Sequence, residues 1–195
     1  MSGTKNLTGE ELAAWRTMNI EDVIWPELAI CDAHHHLWNH TGDRYYAAEL
    51  AADVGDGHNI VQTVYVECGS DYRTDGPPEL APVGEVEFVV AQERELVAIL
   101  GRPLITGIIG FADLRRGRAV TDVLNAHVKA AGGRFSGIRH ATAWDPHDDI
   151  VNHQLSPPPH LLRDKNFVEG AKVLGEMALS YDAWIYHPQI PEFIE

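Results

Sequence analysis

The stretch Ala29-Ile30-Cys31-Asp32-Ala33-His34-His35-His36-Leu37 decides how this chain of 195 residues is read. It is short, opens apolar and closes polar, the form of a buried strand running out into a loop. On an extended backbone, side chains two apart share a face, so His34 and His36 project together with Asp32 while His35 points the other way. Two imidazoles side by side at a strand end suit a divalent metal ion, Zn first and Mn or Fe as well. The same spacing also fits a polar strand end whose histidines bond to backbone and water.

Outward from this stretch the form repeats at 61–68, 104–111, 135–140 and 183–187. Between the repeats run helical patterns. Val86, Val89, Val90, Glu93, Leu96, Val97 and Leu100 keep helical spacing until Gly101 and Pro103. A second pattern runs from Val120 to Ala131 before Gly132-Gly133, and a third from Phe167 to Tyr181. Alternation of strand and helix predicts an α/β fold with parallel strands in one domain, 29–195, preceded by an irregular acidic arm at 1–28. Two long segments, 69–82 and 143–160, follow strand carboxyl ends, where α/β barrels build their sites. Within the second, Ser156-Pro157-Pro158-Pro159 reads as a stiff extended spacer. A closed TIM (β/α)8 barrel takes roughly 250 residues. Five strands and their helices already use this chain, so the expectation is a barrel truncated after about five βα units, the remainder absent or supplied by another chain, as in a homo-oligomer.

Composition excludes several classes. With 15 Lys+Arg against 29 Asp+Glu, the formal charge of -14 repels nucleic acid and anionic membrane surfaces. Lys5, Glu10 and Glu11 stand where a signal peptide needs an apolar core, and no 18 uncharged apolar residues run together, so a cytoplasmic protein is expected. Cys31 and Cys68 each sit in an apolar run and read as buried thiols.

The opening Asp32-Ala33-His34-His35-His36-Leu37-Trp38 resembles that of the amidohydrolase superfamily, in particular the amidohydrolase-related branch that includes sugar lactonases and 2-pyrone-4,6-dicarboxylate lactonase. Further similar segments follow in order: Val64-Tyr65-Val66-Glu67-Cys68, Gly110-Phe111-Ala112-Asp113-Leu114, Phe135-Ser136-Gly137-Ile138-Arg139-His140 and His187-Pro188-Gln189-Ile190-Pro191. The resemblance implies that His34 and His36 are first-strand metal ligands and that His187 binds metal or substrate. It implies that Arg139 grips a substrate carboxylate or carbonyl, with His140 beside it. Glu67 reads as a further ligand or as a carboxylate that orients His34 or His36, with a solvated loop carboxylate as the alternative. Trp38 and Trp144 read as pocket walls or as packing at loop bases. His147, His153 and His160 lie in the loop after the fourth strand, and His127 reads as a core-edge residue on a helix.

The activity implied is hydrolysis of a lactone, or of a related C–O or C–N bond, in a small carboxylated molecule, with metal or Arg139 polarising the carbonyl. The family's water-activating aspartate lies on strand eight and another site group on strand six, beyond the strands read here. Some members of the branch keep the histidine pair and work without metal. A decarboxylase of the same superfamily, or a non-catalytic fragment with an open barrel edge, are the other readings.

Overall fold

The structure is a computed structural model that describes residues 9–18, 21–40, 43–147, 149–150 and 157–195. Its elements run α1 (Gly9–Arg16), β1 (Ile30–His35), β2 (Trp38–His40), β3 (Asp43–Tyr45), α2 (Ala47–Val54), β4 (Ile60–Val66), α3 (Val83–Leu100), β5 (Ile105–Gly110), α4 (Val120–Ala131), β6 (Phe135–Arg139), α5 (Lys165–Glu176), β7 (Ser180–Asp182) and α6 (Ile190–Ile194), with short 3-10 turns between. Five strands form one parallel sheet in the order β1-β4-β5-β6-β7.

That order decides the architecture. Parallel strands need crossover connections, and these are almost always right-handed. When each strand is added beside the last in one direction, every crossover helix lands on the same face. The helices follow suit: α2 packs on α3, α3 on α4 and α4 on α5. The sheet is thus curled with a single outer layer of helices, the winding of a half-barrel rather than of a sheet covered on both faces.

Sequence sets the helix ends. Gly101 takes a left-handed conformation, φ 71°, and its N–H returns to Val97 O, stopping α3. Asp164 caps α5 by accepting from the Phe167 N–H at 3.0 Å. The core lies between sheet and helices, with Tyr65, Ile108 and Leu96 in one cluster and Ile138, Leu124 and Phe167 in another. Glu85 of α3, fully buried, accepts from Tyr65 Oη (2.8 Å), Cys68 N (2.8 Å) and Ser70 N (3.0 Å) and so ties the loop after β4 to the core.

Four expectations need correction. The helix read to Tyr181 stops at Glu176, because Ala178 turns left-handed, φ 54°, and Leu179 N bonds back to Leu174 O. The fifth parallel strand therefore lies at Ser180–Asp182, not at 183–187. The arm contains α1, and β2 and β3 pair antiparallel with Trp38 stacked on Tyr45, both too short for periodicity to reveal. Cys31 is exposed on β1 and only Cys68 is partly buried, because among the described residues β1 is the edge strand of the sheet. Ser156 and His153 lie outside the described residues. Among the described residues, no helix is long and apolar enough to cross a membrane.

Candidate functional site

All five parallel strands end on the same rim, and this places His36, Glu67, Arg139 and Asp182 around one opening. A cavity of about 300 Å³ there is lined by His34, His36, Arg139, Asp182, Trp184 and their neighbours Ala183 and Ile185. His34 and His36 face the cavity as the alternation predicts, while His35 is 8% exposed and donates from Nδ1 to Val64 O at 3.0 Å. Asp32, expected on the same face, does not line the cavity: the β1 register is irregular between Asp32 and His35, and Asp32 Oδ1 accepts from the His34 N–H at 3.1 Å.

The two cavity imidazoles converge, with Nε2 to Nε2 at 3.2 Å. His36 Nδ1 lies 2.7 Å from Val66 O. A carbonyl only accepts, so Nδ1 carries the proton and the Nε2 lone pair of neutral His36 turns to the cavity. His34 Nε2 lies 3.4 Å from Arg139 Nη1, which only donates, so that nitrogen presents a lone pair too. Burial lowers the pKa of His36, and Arg139 and His34 lower it further, against the hydrogen bond to Val66.

Arg139 is 2% exposed and each of its three nitrogens is engaged. Nε donates to Glu67 Oε1 at 2.7 Å, Nη2 donates to the Glu67 carbonyl, and Nη1 faces His34. Its guanidinium carbon lies 4.8 Å from the centre of the Trp184 ring, a cation–π contact. Burial raises the pKa of the Glu67 carboxyl against the pull of Arg139. Asp182 pairs in register with Arg139 across β6 and β7.

For a metal ion, the histidine pair has the right chord: two nitrogens about 2.05 Å from Zn at tetrahedral angles sit roughly 3.3 Å apart. His34 and His36 therefore fit as two ligands. Among the described residues, no group of three His, Cys, Asp or Glu completes a site, and Glu67 is engaged with Arg139 instead.

The other expected residues lie elsewhere. His187 opens a 3-10 turn after β7, is exposed and does not line this cavity. His140 is buried on the helix side between the Phe111 and Phe167 rings and accepts from Leu114 N at 3.2 Å; burial lowers its pKa to about 4. Trp38 lines a second cavity of about 840 Å³ with His35, Tyr45 and Asp53, on the other side of His36, which lines both. Trp144 packs beside His160, and its backbone N–H donates to Gln189 Oε1 at 3.0 Å. Asp182 and Trp184 were not singled out in the sequence. No sequence pattern signalled them: the left-handed turn at Ala178, which puts the strand end at 182 rather than 187, falls on a residue type that does not announce it.

No family model matches the chain. It is similar to an uncharacterized protein, y4mH, of Sinorhizobium fredii, with 29% identity over 193 residues that cover 87% of this chain and 58% of that one. A crystal structure of an amidohydrolase from Burkholderia multivorans with bound HEPES covers 85% of this chain and 51% of its own at 15% identity and a TM-score of 0.49, too loose a superposition to fix an activity. The chain thus spans somewhat over half the length of these proteins.

Proposed function

We propose that the chain carries the first half of a hydrolase site of the amidohydrolase type, on a (β/α)8 barrel, acting on a lactone or a related C–O or C–N bond of a small molecule. What carries the reading is the convergence of His34 Nε2 and His36 Nε2 at 3.2 Å on the rim of a half-barrel, beside Arg139, in the segment whose sequence resembles that superfamily. A divalent ion, Zn or Mn, would be held by His34 and His36, and when bound it supplies a Lewis acid for the carbonyl and a more acidic water.

The chain's own groups do the rest. Val66 O and Arg139 fix the two imidazoles so that both lone pairs meet in one place. The Trp184 ring covers one face of the guanidinium and limits water there. Asp182, on the cavity wall, is placed to take a proton from water or return one to the leaving alkoxide.

The test is metal analysis of the full chain and of a His34→Ala/His36→Ala variant, each checked by circular dichroism, beside a hydrolysis screen of simple lactones. About one equivalent of Zn or Mn lost in the folded variant, with lactone turnover, supports the reading. Turnover that survives the double substitution refutes it.

A further inference from the structure

The second cavity, about 840 Å³, shares only His36 with the first and carries a different chemistry. Part of its wall is aromatic. Trp38 and Tyr45 lie opposite each other in the pairing of β2 with β3, and their rings stack with centres 4.8 Å apart. A carboxylate is anchored at the polar tip of each ring: Trp38 Nε1 donates to Asp43 Oδ2 at 3.2 Å, and Tyr45 Oη donates to Asp53 Oδ2 at 2.7 Å. Both aspartates line the cavity, and among the described residues neither Oδ1 accepts a hydrogen bond and neither side chain pairs with a cation.

The third carboxylate on the wall is already taken up. Glu49 Oε1 pairs with Arg44 at 3.0 Å, and Oε2 accepts from the Tyr46 N–H at the start of α2. Asp43 and Asp53 therefore leave uncompensated negative charge beside the stacked rings. Carboxylates alone would describe a solvated surface, and a further feature sets this wall apart. His35, only 8% exposed, lines the same cavity, spends Nδ1 on Val64 O and leaves Nε2 buried without a partner among the described residues. A buried polar atom left unpaired costs free energy that a bound polar group recovers. Leu12 and Ala52 add apolar surface.

We propose that this cavity binds an organic ammonium ion with an apolar body, its charged end held by Asp43 and Asp53 and its body lying against the Trp38–Tyr45 pair and Leu12. An ammonium carries only donors, which matches the open carboxylate oxygens, and its charge is attracted to the electron-rich faces of indole and phenol rings. Both aspartates are exposed, so solvent screens them and each contributes a few-fold in affinity. The site stands apart from any hydrolysis at the first cavity.

The experiment titrates benzylammonium, benzyl alcohol and benzoate into the full chain with nitrogen-labelled tryptophan. The three probes share one ring and differ in a cationic, neutral or anionic end. The readout is the Trp38 indole N–H resonance, assigned with Trp38→Phe. Benzylammonium shifts it saturably and binds about tenfold tighter than benzyl alcohol, and benzoate binds more weakly than either. Added salt narrows the gap by screening exposed charge. In Asp43→Asn/Asp53→Asn the amide oxygens still accept from Trp38 and Tyr45, and benzylammonium falls to within about twofold of the alcohol. Glu95→Gln/Asp122→Asn, at two exposed carboxylates on α3 and α4, removes the same net charge and keeps the preference. Benzyl alcohol binding as tightly as benzylammonium overturns the proposal. So does a preference that survives Asp43→Asn/Asp53→Asn, an equal loss in both double variants, or no shift with any probe.

Discussion

Acid should unfold this protein through a group far from the site, and His127 shows how much. It lies on α4, fully buried, with its ring stacked on Phe135 at 4.9 Å and Nε2 donating to Phe111 O at 2.8 Å. Among the described residues its Nδ1 has no hydrogen-bond partner. Protonation would bury a charge, so burial lowers the pKa from 6.5 to about 4. The unfolded chain then binds more protons below the unfolded value, and stability is complete above pH 6.5 and lost as pH falls toward 4. Between pH 7 and pH 5 this one residue removes about 2 kcal/mol. The perturbation is His127→Phe, which keeps the ring against Phe135 and cannot titrate. It should cost about 1 kcal/mol at pH 7 through the Phe111 carbonyl left unpaired, and the cost should vanish or reverse at pH 5. Urea unfolding followed by circular dichroism at the two pH values measures both. A gap between variant and parent that is equal at pH 7 and pH 5 would show that His127 is not held neutral, and would refute the reasoning.

Other substitutions probe the packing and the site. Arg139→Leu leaves Glu67 buried without its partner and should lower stability by about 3–5 kcal/mol, read as a fall in Tm; a change within 1 °C contradicts the buried pair. Glu85→Leu strands the N–H groups of Cys68 and Ser70 and the Tyr65 hydroxyl, at about 1–3 kcal/mol for each group, and hydrogen exchange should quicken in the loop after β4 before elsewhere. Gly84→Ala would place a Cβ 2.5 Å from Asp71 O and 2.6 Å from Arg73 N, both backbone, so it should destabilise by about 1–3 kcal/mol; an unchanged urea midpoint would mean that the loop yields freely. Ala178→Gly relieves the left-handed residue that ends α5 and should stabilise by up to about 1 kcal/mol, seen as a raised midpoint.

The alternation at 29–37 was legible without a structure because strand geometry is local: a period of two puts His34 and His36 on one side and His35 on the other whatever surrounds them. The first four parallel strands and the helices at 83–100 and 120–131 were legible for the same reason, since their apolar periods match what each element buries. Tertiary structure decided what periodicity does not encode. The one-directional strand order, which makes the sheet a half-barrel, arises from how crossovers stack. The engagement of Arg139 joins residues 72 positions apart, Glu67 and Arg139, so no local pattern could announce that its fork was taken. The entry of Asp182 in place of His187 hung on one backbone dihedral at Ala178, a residue whose side chain gives no hint of positive φ. Sequence therefore determined which residues could do chemistry on the first strand, and packing determined which partners they met, because a side chain's available hydrogen bonds depend on neighbours brought in from distant strands.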